Sequence, residues 1–133
     1  MLRFTARAWV ENRRVQDALR RSARRGLFRA AAAIRLQAAR SIIQSANPSA
    51  PGRPPHSRKG QLRRAILFAV KEEHGLLAAL IGTSHDILGP AGRAHELGGR
   101  FRGEVFPKRA FMRPALNVVA NKLPDFFRGG ISP

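Results

Sequence analysis

Three consecutive residues, Ser84, His85 and Asp86, are of the types that form the catalytic triad of a hydrolase. A triad requires the hydroxyl, the imidazole and the carboxylate to line up in a hydrogen-bonded relay. Side chains of consecutive residues point in different directions, so these three cannot form that relay among themselves. We therefore expect no hydrolytic site here.

The other polar residues form no pattern for metal binding or acid–base catalysis. No two of the four histidines, at positions 56, 74, 85 and 95, have the four-residue spacing that places two metal ligands on one helical turn. Glu72 and Glu73 are expected at a hairpin turn, where carboxylates are normally solvated. Cysteine is absent, which excludes disulfides, thiolate zinc sites and a thiol nucleophile. The sequence predicts a protein that is not an enzyme and has no metal or cofactor.

The net charge is the strongest compositional signal. The chain has 133 residues, with 25 Lys and Arg against 8 Asp and Glu, a formal net charge of +17. Residues 1–45 hold eleven Arg and two acids, residues 46–70 five bases and no acid, and residues 71–133 nine bases and six acids. Arg suits desolvated, two-pronged contacts with carboxylate or phosphate, although a GC-rich genome would enrich Arg in the same way. The hydrophobic fraction of 44% predicts a folded chain rather than a disordered basic tail.

The elements that would position these charges begin with a helical segment. Residues 9–45 contain no Pro and one Gly, Gly26, and predict two helices or one helix broken near Gly26. Apolar residues recur at helical spacing and are expected to face the core: Leu27, Ala31, Ile34, Ala38 and Ile42. The opposite side carries arginines and aliphatic residues: Arg25, Arg29, Leu36, Arg40 and Ile43. Such a mixture favours a subunit contact, although a helix sandwiched inside one domain would look similar.

The middle of the chain predicts a loop followed by a hairpin. Four Pro and two Gly among residues 47–60 indicate an exposed loop without helix or strand. Two apolar runs, Leu62–Glu72 and Leu76–Gly82, are separated by a Gly-containing turn and predict a β-hairpin. Arg63 and Arg64, as neighbours on a strand, would then face opposite ways.

Short elements are expected next. Residues 83–92 are rich in turn formers, and Ala91–Leu97 predicts a short helix that Gly98 and Gly99 end. Residues 101–106 predict a short strand.

The chain should end with a helix over Arg113–Phe127. Pro114 is tolerated in its first turn, whereas Pro124 should shorten or kink it. Its core stripe would consist of Leu116, Val119, Leu123 and Phe126.

Together these elements predict an α+β fold with a long N-terminal helical arm, a small antiparallel β-sheet and a C-terminal helix. The length suits one compact core, so we treat residues 1–133 as a single domain. Its parts would be a helical arm (1–46), an exposed Pro/Gly-rich loop (47–61), the sheet with the last helix (62–128) and a flexible tail (129–133).

Four short motifs follow one another in the second part of the chain. They are P-G-R-P-P-H at 51–56 leading into G-Q-L-R-R-A-I at 60–66, I-G-T at 81–83, A-H-E-L-G-G at 94–99 and P-K-R-A-F-M-R-P-A-L at 107–116. This order resembles the tail-completion or neck proteins of long-tailed bacteriophages, a family that includes lambda's minor tail protein Z and related virion morphogenesis proteins. The resemblance covers residues 49–117. Lys59, Ala65 and Arg93 depart from the Thr, Ser and Tyr that are common in the family.

Several motif residues have structural roles that the resemblance implies or the local sequence indicates. They are Gly60, Leu62, Ile66, Gly82, His95, Glu96, Gly98, Pro107, Arg109, Phe111 and Pro114. We expect His95 and Glu96 to form a hydrogen-bonded pair and Phe111 to anchor the last helix. Arg113 near a helix start is disfavoured by the helix dipole and should have a carboxylate nearby.

The resemblance implies a virion protein of the neck and tail that is assembled in the host cytoplasm. It would form a homo-oligomeric ring, most simply a hexamer, between a tail terminator or tail-tube protein and a head-side connector or stopper. Contact with packaged DNA would be non-specific, and no membrane contact is expected. Ten residues are candidates for the subunit or partner interface: Arg25, Arg29, Leu36, Arg40, Ile43, Arg53, Arg58, Lys59, Arg63 and Arg64.

Two alternatives remain at this stage. A head-side connector or stopper would belong to the same assembly class and differ in being twelvefold. A basic nucleic-acid-binding module would bind in a strongly salt-dependent way. No helix-turn-helix, zinc module or base-stacking aromatic pair is recognised in the sequence.

Overall fold

One long helix, α1 (Arg13–Ser41), organises the fold. The computed structural model describes residues 1–6 and 12–128, so residues 9–11 of the predicted helical segment and the predicted flexible tail lie outside the described residues. Asn12 caps α1, because its side chain accepts a hydrogen bond from the Arg14 backbone N–H at 3.0 Å. The predicted apolar stripe is confirmed as the buried face of this helix.

The predicted break near Gly26 is wrong, since α1 runs through that residue without interruption. A single glycine costs a helix about 1 kcal/mol relative to alanine, which packing along the helix can offset. Local packing also requires a glycine at position 26, because a Cβ there would overlap with the ring of Phe127. Gly26 therefore marks a close contact between α1 and the end of the described chain rather than a helix boundary.

A three-stranded antiparallel sheet packs against α1 and consists of β1 (Leu2–Ala6), β4 (Ile66–Glu73) and β5 (Leu76–Thr83). The order of the strands in the sheet is β1-β5-β4. The predicted hairpin is confirmed as β4–β5, with His74 and Gly75 at positive φ in the turn.

Strand β1 overturns the prediction that residues 1–46 are all helical. The alternation Leu2, Arg3, Phe4, Thr5 has the period of two that suits a half-buried strand. Leu2 pairs with Ile81 and Phe4 with Ala79, and both side chains pack against the core.

The predicted strand from Leu62 is also wrong at its start, because Gln61–Ala65 form a helical turn, α2. Gly60, at φ 70°, turns the chain into this helix, and the Leu62 N–H donates to Ser57 Oγ at 3.4 Å. Arg63 and Arg64 consequently both lie exposed on one helical turn instead of on opposite faces of a strand.

The Pro-rich loop is more ordered than predicted. Its residues His56–Ser57 form a strand, β3, that pairs in parallel with β2 (Ile43–Gln44) directly after α1. Pro55 and Ser57 are buried, and the Gly52 N–H donates to the Lys108 carbonyl at 2.9 Å. These bonds fasten the loop to the end of α1 and to the segment before the last helix.

The segment predicted to be turn-rich contains a short helix, α3 (His85–Leu88), and the predicted helix α4 (Ala91–Leu97) is confirmed. The predicted single strand is instead a hairpin of β6 (Gly99–Phe101) and β7 (Glu104–Phe106). The two residues of the turn between these strands, Arg102 and Gly103, both have positive φ, as a two-residue hairpin turn of this type requires.

The last predicted helix divides into two types of helix. An α-helix, α5, spans Met112–Val119, and a 3₁₀ helix spans Ala120–Phe127. Pro124 lacks the N–H that would continue the α-helical ladder, which accounts for the tighter helix. Pro114 lies in the first turn of α5, as predicted.

The core lies where α1, the inner face of the sheet and α5 meet. Its buried members come from all three elements and include Leu27, Ile34, Ala79, Ile81, Phe111, Ala115 and Val119. The predicted stripe of the last helix contributes to it, with Val119 buried and Leu116, Leu123 and Phe126 partly buried. The α+β class is therefore confirmed.

Substitution of Gly98 by alanine should destabilise the fold by about 2 kcal/mol or more. Gly98 ends α4 with φ 67° and ψ −171°, and a Cβ there would lie 2.9 Å from the Lys108 backbone nitrogen. Gly89 ends α3 with φ 60° and ψ −145° but has no atom near its Cβ position. Urea unfolding should show a larger loss for Gly98→Ala than for Gly89→Ala, and equal losses would contradict the close approach.

Candidate functional site

The three residues with triad chemistry lie on one turn and serve its structure. The Ser84 N–H donates to the Ala65 carbonyl at 2.8 Å, and the Ser84 carbonyl accepts from the Leu88 N–H at 3.1 Å. His85 and Asp86 follow on α3 with exposed side chains. Within residues 1–6 and 12–128, no hydrogen bond joins the three side chains, and no group of three His, Asp or Glu residues could hold a metal ion.

Motif segments that are distant in sequence meet between α4 and α5. Glu96, near the end of α4, accepts three backbone N–H bonds from the start of α5: from Phe111 and Met112 at Oε2, both at 2.9 Å, and from Arg113 at Oε1, at 3.0 Å. Helix α5 has no side-chain cap of its own. The Glu96 carboxylate therefore caps this helix from a different element, and we call this contact the Glu96 cap.

The Glu96 cap corrects one prediction and explains another. Glu96 does not pair with His95, because its oxygens face the backbone of α5. The carboxylate expected near Arg113 is present, but it binds the backbone N–H rather than the guanidinium. Negative charge at a helix N-terminus is stabilising, which compensates for the unfavourable position of Arg113.

Arg109 links the same region to the Pro-rich loop. Its Nε donates to the Ser49 carbonyl at 2.9 Å, and its backbone N–H donates to the His95 carbonyl at 2.8 Å. Phe111 is 1% exposed and anchors the start of α5 in the core, as expected. Pro107 follows β7 directly and ends it. The loop, α4 and α5 are thus joined through residues of the motifs.

His95 occupies a partly buried position in this junction. Burial, with a smaller contribution from the positive charge of Arg109, lowers the pKa of His95 below its ordinary value of 6.5. The Nδ1 atom of His95 is buried and has no hydrogen-bond partner among the described residues. The surroundings therefore favour the neutral imidazole.

The remaining motif residues have packing roles. Leu62 and Ile66 are buried in the core. Gly82 pairs with Leu67 in the sheet, and a Cβ on it would lie 4.0 Å from the Met1 Cα.

The candidate interface residues fall into two groups. The first group lies along the outer face of α1 and continues into β2, and we call it the α1 ridge: Arg25, Arg29, Leu36, Arg40 and Ile43. All five are exposed, with Leu36 at 46% and Ile43 at 60%. The ridge therefore presents aliphatic surface between cations.

The second group follows β3, and we call it the basic end: Arg58, Lys59, Arg63 and Arg64. All four side chains are exposed, and Arg64 Nη2 donates to the Lys59 carbonyl at 2.9 Å. Gln44 Nε2 donates to the Arg58 carbonyl at 3.2 Å, which places the basic end beside the end of α1. Arg53 is exposed separately on the loop.

A cavity of about 330 Å³ adjoins the basic end. It lies between the start of α2 and the helices α3 and α4, and its lining includes His56, Arg58, Lys59, Gln61 and His95. No Asp or Glu lines it.

Ion pairs were not foreseen from the sequence. Glu72 contacts Arg20 at 2.8 Å and Arg24 at 3.6 Å, and Glu73 contacts Arg3 at 3.4 Å. Both acids therefore lie on β4 beside the turn and face arginines, and they remain exposed to solvent as expected. Glu96 was likewise missed as a cap, although a helix start without Ser, Thr, Asp or Asn signals that another group must accept its N–H bonds.

The chain matches no known family model, no curated protein and no solved structure. Over the described ranges, none of the helices combines the length and the apolar character that crossing a membrane requires.

Replacing Glu96 with alanine should lower the free energy of unfolding by about 1–3 kcal/mol, because three N–H groups at the start of α5 lose their acceptor. Glu96→Gln should cost less, since its amide keeps one acceptor oxygen. Chemical denaturation measures both, with Glu104→Ala on the exposed hairpin as the control. An Ala variant as stable as the control would show that solvent replaces the cap.

The lowered pKa of His95 predicts a pH-dependent stability. Well above pH 6.5 the imidazole is neutral in both the folded and the unfolded state, and its contribution to stability is constant. As pH falls below 6.5 the unfolded state binds a proton that the folded state resists, so the free energy of unfolding decreases. His95→Gln should flatten this decrease, and the same substitution at the exposed His85 serves as the control. Equal pH profiles for His95→Gln and the parent chain would contradict the assignment.

Proposed function

We propose that the protein is a structural component of a tailed-bacteriophage virion, a tail-completion or neck protein that forms a ring between tail and head around the DNA channel. The proposed role is assembly rather than catalysis. The main support for this proposal is the α1 ridge, together with the order of the sequence motifs, which resembles that in neck proteins. Two exposed surfaces of the single chain, the α1 ridge and the sheet edges, support this role.

The α1 ridge has the composition of a protein interface rather than of a solvated helix face. Leu36 is exposed between Arg29 and Arg40, and Ile43 is exposed just beyond Arg40. Arg is one of the residues enriched at protein interfaces. Arg29 and Arg40 have no carboxylate partner within the described ranges. A neighbouring subunit or an acidic partner would cover the aliphatic groups and neutralise the guanidinium groups.

The sheet offers a second uncovered surface. Strands β1 and β4 each pair only with β5 among the described strands, so each has a free edge. On the face away from α1, Leu67 of β4 is 47% exposed. Free strand edges are prone to association, and ring formation would bury them.

The proposal predicts a specific mass. Six chains of 14.7 kDa give a ring of about 88 kDa, and twelve, as in a head-side connector or stopper, about 176 kDa. Sedimentation or light scattering measures this directly for the purified chain, alone and mixed with candidate tail-tube and head-side proteins. A strictly monomeric chain in all mixtures would contradict the proposal.

A paired substitution tests the α1 ridge itself. Leu36→Asp combined with Ile43→Asp should abolish the oligomer, because two charges would be buried in the contact. Val105→Asp, at an exposed valine on β7, is the control and should leave the oligomer intact. The same oligomer in both variants would show that the ridge is not part of the contact.

A further inference from the structure

The positive charge is not evenly neutralised over the folded chain. The ion pairs of Glu72 and Glu73 lie at the turn end of the β4–β5 hairpin and involve Arg3, Arg20 and Arg24. Arg20 is about 30 Å along α1 from Arg40. Acidic partners are therefore concentrated around the first half of the long helix.

The basic end lies at the opposite end of α1 and has no such partners. No Asp or Glu occurs between positions 17 and 72 of the sequence. Asp86 on α3 is the acid on the element packed against α2, and it forms no ion pair with Arg58, Lys59 or Arg63. Four exposed cations within seven residues thus remain without a carboxylate in the described part of the chain.

The local structure holds these cations in place. Their turn is held by the bonds from Gln44 to the Arg58 carbonyl and from Arg64 to the Lys59 carbonyl. The adjoining cavity adds the polar side chains of Gln61 and His56 beside Arg58 and Lys59. The basic end is therefore an ordered cationic surface with a recess, and binding would not require a flexible loop to be ordered first.

We propose that the basic end binds the sugar–phosphate backbone of duplex DNA, with the recess receiving a phosphate group. Arg and Lys neutralise phosphates with release of counterions, and the side-chain amide of Gln61 in the recess can donate to a phosphate oxygen. This inference rests on the proposed function, because the DNA would be the DNA in the channel of the ring. It assigns the contact to particular residues. It predicts no sequence preference, since contacts to the sugar–phosphate backbone carry no direct sequence information.

An acidic protein is the main competing partner, and the composition of the surface argues against it. Interface cores between proteins are apolar and poor in charge, whereas residues 58–64 expose four cations and bury their aliphatic residue, Leu62. The α1 ridge has the opposite character, with exposed Leu36 and Ile43. The two surfaces therefore suit different partners.

The test compares two variants with the same loss of charge. The first is Arg58→Gln, Lys59→Gln and Arg63→Gln; Arg64 is kept because it bonds the turn. The second, the control, is Arg13→Gln, Arg14→Gln and Lys122→Gln, at exposed positions at the far end of α1 and in the 3₁₀ helix. Binding to a short mixed-sequence DNA duplex is measured by fluorescence anisotropy over a series of salt concentrations, after circular dichroism confirms the fold of each variant.

The basic-end variant should bind about tenfold or more weakly than the parent chain, and its slope of log K against log salt should be shallower by about two to three. The control should stay within about threefold of the parent. Equal losses in the two variants, or no binding of the parent chain at low salt, would overturn the proposal. Poly-glutamate or phosphatidylserine vesicles that bind as tightly as DNA, with the same dependence on these residues, would also overturn it.

Sedimentation of the same variants separates this inference from the proposed function. A basic-end variant that forms the ring but loses DNA binding supports the inference. A ring that forms while parent and basic-end variant bind DNA equally overturns the inference and leaves the neck function standing. A chain that is monomeric with all partners overturns the neck function whatever the DNA result.

Discussion

The burial of one face of α1 is the constraint on which the rest of the structure depends. This face packs on the sheet and on α5 at once, and its small residues, Ala31 and Ala38, allow both to approach closely. The sheet must then lie with its inner face against α1, which brings Glu72 to Arg20 and Arg24. The last helix must start beside α4, where Glu96 supplies the acceptors that its own sequence lacks. Packing of a single helix thus determines which charges are neutralised and how the last helix begins.

The parts of the fold that the sequence predicted are those with a strong local pattern. The stripe of α1, the β4–β5 hairpin and the end of α4 at Gly98 each follow from spacing or from a glycine at a turn. The errors occur where tertiary contacts outweigh local preference. Gly26 does not break α1, because packing along the helix offsets the cost of one glycine. Leu62 is helical, because Gly60 and Ser57 hold the turn. Strand β1 was missed because only its period of two, over five residues, marks it, and its partner lies far along the chain.

The electrostatics of the candidate surfaces also depend on tertiary contacts that the sequence does not reveal. Sequence counts place the largest excess of charge in the first 45 residues, which suggests that the helix is the most cationic element. Folding brings Glu72 and Glu73 from the hairpin to that segment, so part of its charge is paired. The cations at residues 58–64 have no carboxylate partner, and this distinguishes them only once the ion pairs of the first segment are known. The charged residues could be identified from the sequence, whereas which of their charges are paired depends on contacts between distant segments.

The pairing of β1 also has a consequence for the order of folding. The β4–β5 hairpin closes over two residues, whereas Leu2 meets Ile81 only after most of the chain has been drawn into a loop. Loop-closure entropy makes such distant contacts late, so β1 should join a hairpin that has already docked on α1. A strand that joins late and lies at a sheet edge is also the first to detach, because it has one neighbour to leave. The backbone amides of β1 should therefore exchange hydrogen with solvent before those of β5, and strand exchange between nascent copies would involve this segment.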